Sequence, residues 1–123
     1  MKFILIFLLF LNVLLASDHD HHHGKDLTFL ELDTTQEDKV KDILRTYRKD
    51  IKKYRHYKEE MFEGKQDIFE NDIFDGVALE KINQQVSDFA IRIETKFLSE
   101  VHQVLSKKQR KKFVSYIDDW EIE

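Results

Sequence analysis

Residues 34–62 read TTQEDKVKDILRTYRKDIKKYRHYKEEMF, and the spacing of their apolar members decides the fold. Val40, Ile43, Leu44, Tyr47, Ile51, Tyr54, Met61 and Phe62 recur in steps of one, three, four or seven, which places them on one face of a helix. The pattern predicts a helix over 34–62 that Gly64 ends. An acidic and aromatic connector follows from Asp67 to Phe74, and Asp75 then offers an N-cap for a second long helix running to Leu105. The stripe of that helix is Leu79, Ile82, Val86, Phe89, Ile93, Phe97, Val101 and Val104. A last short helix from Lys107 presents Phe113, Tyr116, Ile117 and Trp120 on one side. The expected fold is all-α, a long helical hairpin with short flanking helices.

Composition agrees with this reading. The chain has no proline, three glycines and 36% charged residues, the profile of long helices with few breakers. Each long helix would measure roughly 40–45 Å at 1.5 Å per residue, and a hairpin of two such rods buries only the seam between them. Ile91, Leu98 and Leu105 form a second strip, more than a quarter-turn from the main one, that one partner helix cannot cover. The expectation is a homodimer or an apolar binding face.

The N-terminus carries an export signal. Lys2 precedes an apolar run from Phe3 to Phe10, continued by Leu11, Val13, Leu14 and Leu15 and closed by Ala16 and Ser17. That is the organisation of a signal peptide over 1–16, too short for a comfortable bilayer span of about 20 apolar residues. The polar, histidine-rich leader at 17–31 has no apolar periodicity over its first ten residues and is expected to be disordered, with structure starting near Leu32. His19, His21, His22 and His23, interleaved with Asp18 and Asp20, are borderline ligands for copper, nickel or zinc. Cleavage after Ala16 would leave the amine of Ser17, two backbone amides and the imidazole of His19 able to surround Cu(II) or Ni(II) in a plane. His102 reads as structural or exposed, and His56, among Lys53, Arg55 and Lys58, is a poor cation site.

The most specific signal occurs twice, as Leu32-Asp33-Thr34-Thr35-Gln36 and as Leu105-Ser106-Lys107-Lys108-Gln109. Each is a helix start in which Asp33 or Ser106 accepts first-turn amide protons and Gln36 or Gln109 reaches back to the cap amide, a capping box. With these two copies bracketing a long hairpin, the chain over Leu32 to Ile117 resembles the Spy/CpxP family, whose signature is a repeated Leu-Thr-x-x-Gln. Here Ser106 and Asp33 stand where the family has threonine, and Asp72-Ile73-Phe74-Asp75 looks like the family's sequence before its second long helix. The resemblance implies a cradle-shaped antiparallel homodimer in the periplasm that shields unfolded envelope proteins without ATP. It also implies relatives that bind or sense heavy metals, or that restrain an envelope-stress sensor kinase.

The residues support a binding surface independently of that resemblance. Lys41, Arg45, Arg48, Lys52 and Arg55, spaced four, three, four and three, make a cationic stripe beside Tyr47, Ile51 and Tyr54 on the first helix. Like charges at this spacing repel by a few tenths of a kcal/mol, about 0.2–0.5 per pair, so the stripe suits an acidic and apolar client segment or anionic lipid. Lys107, Lys108, Arg110, Lys111 and Lys112 crowd the start of the last helix, where the helix dipole disfavours cations.

The absence of cysteine removes thiolate chemistry and disulfides, and neither a Gly-rich phosphate loop nor a nucleophile elbow is present. A net charge of −4 argues against nucleic acid as the main partner. The sequence therefore points to a non-enzymatic periplasmic chaperone with no required cofactor, or alternatively to a metal-binding or kinase-regulating protein.

Overall fold

A computed structural model describes residues 27–122. Among these residues there are three α-helices, two long and one short, and no strands, so the fold is all-α. We number the helices α1 (Thr34–Glu70), α2 (Gly76–Val104) and α3 (Lys107–Phe113). Short 3-10 segments at Thr28–Leu30 and Val114–Trp120 flank them. The expected signal peptide over 1–16 and the histidine tract lie outside the described residues.

Helix α1 continues through Gly64 to Glu70, two turns beyond the end expected from the sequence. A helical glycine costs about 1 kcal/mol relative to alanine, so a packing gain has to offset it. That gain is close approach: a Cβ on Gly64 would meet Ile82 Cδ1 at 3.3 Å, so the hydrogen of Gly64 lets α2 approach α1. The expected connector thus shrinks to the bend at Asn71, Asp72 and Ile73, after which Asp75 caps α2 by accepting the Ala78 amide at 3.0 Å.

The core is concentrated at the base of the hairpin, opposite the bend. Leu27, Leu30, Val40, Leu44, Phe97, Val101, Leu105, Phe113 and Trp120 form one buried cluster there. Tyr54, Ala90 and Ile93 form a smaller one higher up, and Tyr47 packs against both. Two sequence expectations are corrected at this base. Residues 27–31, which precede the start expected near Leu32, are already structured, with Leu27 and Leu30 buried in the main cluster. Leu27 and Glu31 both adopt positive φ, 60° and 54°, at the two ends of the Thr28–Leu30 turn. The second correction concerns the extra apolar strip of α2. Leu105 is buried and Leu98 half-buried against the core, which leaves only Ile91 exposed. The chain's own terminal segments cover what a single partner helix could not, and the sequence argument for a homodimer loses that support.

Both capping boxes are present, and they are joined to each other. Asp33 Oδ1 accepts the Gln36 amide at 2.8 Å, and Gln36 Oε1 accepts the Asp33 amide at 3.1 Å. Ser106 Oγ accepts the Gln109 amide at 3.3 Å, and Gln109 Oε1 accepts the Ser106 amide at 2.8 Å. Gln36 Nε2 also donates to Gln109 Oε1 at 2.8 Å, while Gln109 Nε2 donates to Gln36 Oε1 at 3.0 Å. The remaining protons go to Val104 O at 2.9 Å and Leu30 O at 3.4 Å. The two copies of the motif therefore clasp the start of α1, the end of α2, the start of α3 and the N-terminal turn at one point.

That clasp predicts coupling. Gln36→Ala and Gln109→Ala are each expected to cost about 1–3 kcal/mol, since each leaves half-buried amide groups without partners. The double variant should cost less than their sum by roughly 0.5–3 kcal/mol, because either substitution already breaks the same amide pair. Urea unfolding of all four chains measures this, and simple additivity would show the pair to be energetically silent.

Candidate functional site

The cationic stripe of α1 is exposed along its length, at Lys41, Arg45, Arg48, Lys52 and Arg55. Two grooves lie along it. The lower one, about 740 Å³, has Leu32, Val40 and Leu44 on its walls with Lys41, Arg45, Arg48 and Lys49, and Glu31 and Glu37 also line it. The upper one, about 820 Å³, is lined by Tyr47, Ile51, Tyr54, Arg48, Arg55 and Lys58 of α1 and by residues Asp118 to Ile122 of the C-terminal segment. Lys41, Arg45, Arg48 and Arg55 thus share grooves with the apolar flank, whereas Lys52 lines neither groove. The binding elements differ in access, however: Tyr47 and Ile51 are half-buried, whereas Tyr54 is buried and offers only floor.

Sequence reasoning placed Trp120 on the last helix with Tyr116 and Ile117 but missed where it docks; the helix gives way to a 3-10 segment after Phe113, and Tyr116 and Ile117 are exposed. Trp120 docks against Phe97 and Tyr47, with ring centroids 4.6 Å and 5.6 Å apart, and this lays Asp118, Asp119 and Glu121 along the same groove as Arg48, Arg55 and Lys58. No helical periodicity links residues 118–122 to the middle of α1, so only the buried tryptophan could have signalled the contact. The stripe is also less free of acids than its own sequence suggests, since Arg45 lies 3.6 Å from Asp42. Among the cations of α3, Arg110 is explained by its Nε donating to His102 O at 3.1 Å, which satisfies a carbonyl in the last turn of α2. Lys107, Lys108, Lys111 and Lys112 remain exposed.

Tyr47 sits where core and groove meet. Its phenol pKa is raised by burial first, then by the carboxylate of Glu94, with Arg55 opposing. A raised folded-state pKa means that the folded chain holds the proton more tightly than the unfolded chain. The stability this carries is complete below the ordinary tyrosine value of about 10 and is lost as pH rises through the folded value. Thermal melting is therefore expected to fall above about pH 10 and to fall less in Tyr47→Phe. An identical alkaline profile in both chains would contradict this placement.

The proposed metal ligands His19, His21, His22 and His23 lie outside the described residues. Among those described, no group of three or more His, Cys, Asp or Glu side chains is arranged to hold a metal. His102 is exposed, and His56 Nε2 lies 3.2 Å from Glu60 Oε1. No helix among the described residues is long and apolar enough to cross a membrane. Comparison with protein-family models, curated proteins and solved structures yields no match to this chain.

Proposed function

We propose that this protein is an exported, ATP-independent chaperone that holds non-native polypeptide along the cationic flank of α1. The observation that carries the reading is the pair of grooves beside Arg48, where exposed cations outnumber the neighbouring carboxylates in the lower groove and border half-buried apolar side chains in both. Such a surface binds by chemistry common to many unfolded chains: apolar side chains seek the half-buried Leu32, Tyr47 and Ile51, and acidic side chains seek the stripe. Screened, exposed charge pairs contribute little each, about 0.2–1 kcal/mol, which suits a client that must be released without an energy source.

Export rests on the signal-peptide organisation of residues 1–16, and the Spy/CpxP-like repeat supports a periplasmic, stress-related role. A homodimer enters this reading through the resemblance alone, since the chain's own terminal segments cover Leu98 and Leu105. The histidine tract supports a second capacity, binding of copper, nickel or zinc. Metal-free protein without nucleotide is expected to slow the aggregation of an acidic, reductively unfolded client at near-stoichiometric ratios. An unchanged light-scattering trace contradicts the proposal, and suppression that appears only with added Cu(II) or Zn(II) favours metal binding as the primary function.

A further inference from the structure

The tip of the hairpin exposes a second surface of different chemistry. Phe62, Phe69, Ile73, Phe74 and Val77 all lie outside the core there, and Ile73, Phe69 and Val77 are 84%, 81% and 79% exposed. Phe62 and Phe69 are two turns apart on one side of α1, and the bend brings Ile73 and the first turn of α2 beside that end. Contiguous apolar surface with a polar rim marks an interaction site more often than a random surface does. The rim is predominantly acidic: between Glu63 and Lys81 the carboxylates of Glu63, Asp67, Glu70, Asp72, Asp75 and Glu80 are exposed, against the two cations Lys65 and Lys81. None of these carboxylates has an ion-pair partner among the described residues.

We propose that the tip is a docking surface for a cationic amphipathic segment of another polypeptide. Apolar side chains of that segment would seat on Phe69, Ile73 and Val77, and its lysines or arginines would face Glu70, Asp72 and Asp67. The charge of the rim selects this occupant: carboxylates disfavour anionic lipid headgroups and acidic peptides, whereas cations beside an apolar strip gain on both counts. The site is distinct from the α1 stripe, whose last cation, Arg55, precedes Phe69 by fourteen residues, roughly 21 Å along the helix at 1.5 Å per residue. The molecule thus takes acidic and apolar segments along its flank and basic and apolar segments at its tip.

The test uses the full mature chain and a fluorescein-labelled helical peptide of leucine and lysine, about five turns long, with its leucine–glutamate counterpart as control. Fluorescence anisotropy should show binding of the lysine peptide, weakened about tenfold or more in Phe69→Ser/Ile73→Ser/Val77→Ser, with melting unchanged because all three positions are exposed. Glu70→Gln/Asp72→Asn keeps the apolar residues and should weaken binding and flatten its salt dependence. Neutralising the α1 stripe should leave this binding intact, so failure of the chaperone reading and failure of the tip proposal are separable. Equal affinity for the two peptides in the stripe-neutralised chain, whose flank no longer attracts the glutamate peptide, or affinity for the lysine peptide unchanged in both tip variants, overturns the proposal. So does sedimentation equilibrium showing a dimer that the triple serine variant converts to monomer, since a second copy would then be the occupant.

Discussion

Trp120→Ala is expected to lower the unfolding free energy by about 3–5 kcal/mol, the largest stability effect of any single substitution considered for this chain. The side chain is almost completely buried in the basal cluster and contacts the rings of both Phe97 and Tyr47. Its removal leaves a cavity between α1 and α2 that the ends of two long helices cannot close by small shifts. Against a total stability of about 5–15 kcal/mol for a domain of this size, the loss is a substantial fraction. Trp120→Phe should cost far less, because the indole N–H has no hydrogen-bond partner among the described residues and an aromatic ring would still fill the site. Urea unfolding followed by circular dichroism measures both. A change under about 1 kcal/mol for the alanine variant would mean that the C-terminal segment is not docked on α1.

The second large effect is functional. Replacing Lys41, Arg45, Arg48, Lys52 and Arg55 together with glutamine should reduce protection of an acidic client about tenfold or more, while helicity and melting stay close to those of the unsubstituted chain. All five side chains are exposed, and removing like charges at helical spacing relieves repulsion, so the fold has little reason to respond. The deficit should be greatest at low salt, where the screening length is about 30 Å at 0.01 M, and smaller at 0.1 M, where it is about 10 Å. Equal protection by the two chains at every ionic strength would reduce the stripe to a solvated helix face.

How far the sequence reaches can be judged from particular residues. The apolar spacing from Val40 to Tyr54 and from Val86 to Val101 identifies both long helices, because seam packing imposes helical periodicity on the local sequence. The capping boxes at Asp33 and Ser106 are legible for the same reason, since a cap and its partner lie three residues apart. Gly64 misleads because a glycine that ends a helix and one that admits a neighbouring helix look alike until Ile82 is seen beside it. The Gln36–Gln109 amide pair, the burial of Leu27 and Leu30, and the placement of Asp118, Asp119 and Glu121 beside Arg48 are contacts between distant parts of the chain. No local pattern encodes them. The candidate surface is thus half legible: the stripe can be read from α1 alone, but the groove walls contributed by the terminal segments cannot.

The claim that non-native polypeptide lies along α1 is tested most directly by site-specific photo-crosslinking. A benzophenone side chain placed at Lys49, which lines the lower groove, should capture an unfolded acidic client, and the same group at exposed Gln84 on α2 should not. Neutralising the stripe should abolish capture at position 49. Equal capture at both positions, or capture at 49 that survives loss of all five cations, would contradict the account.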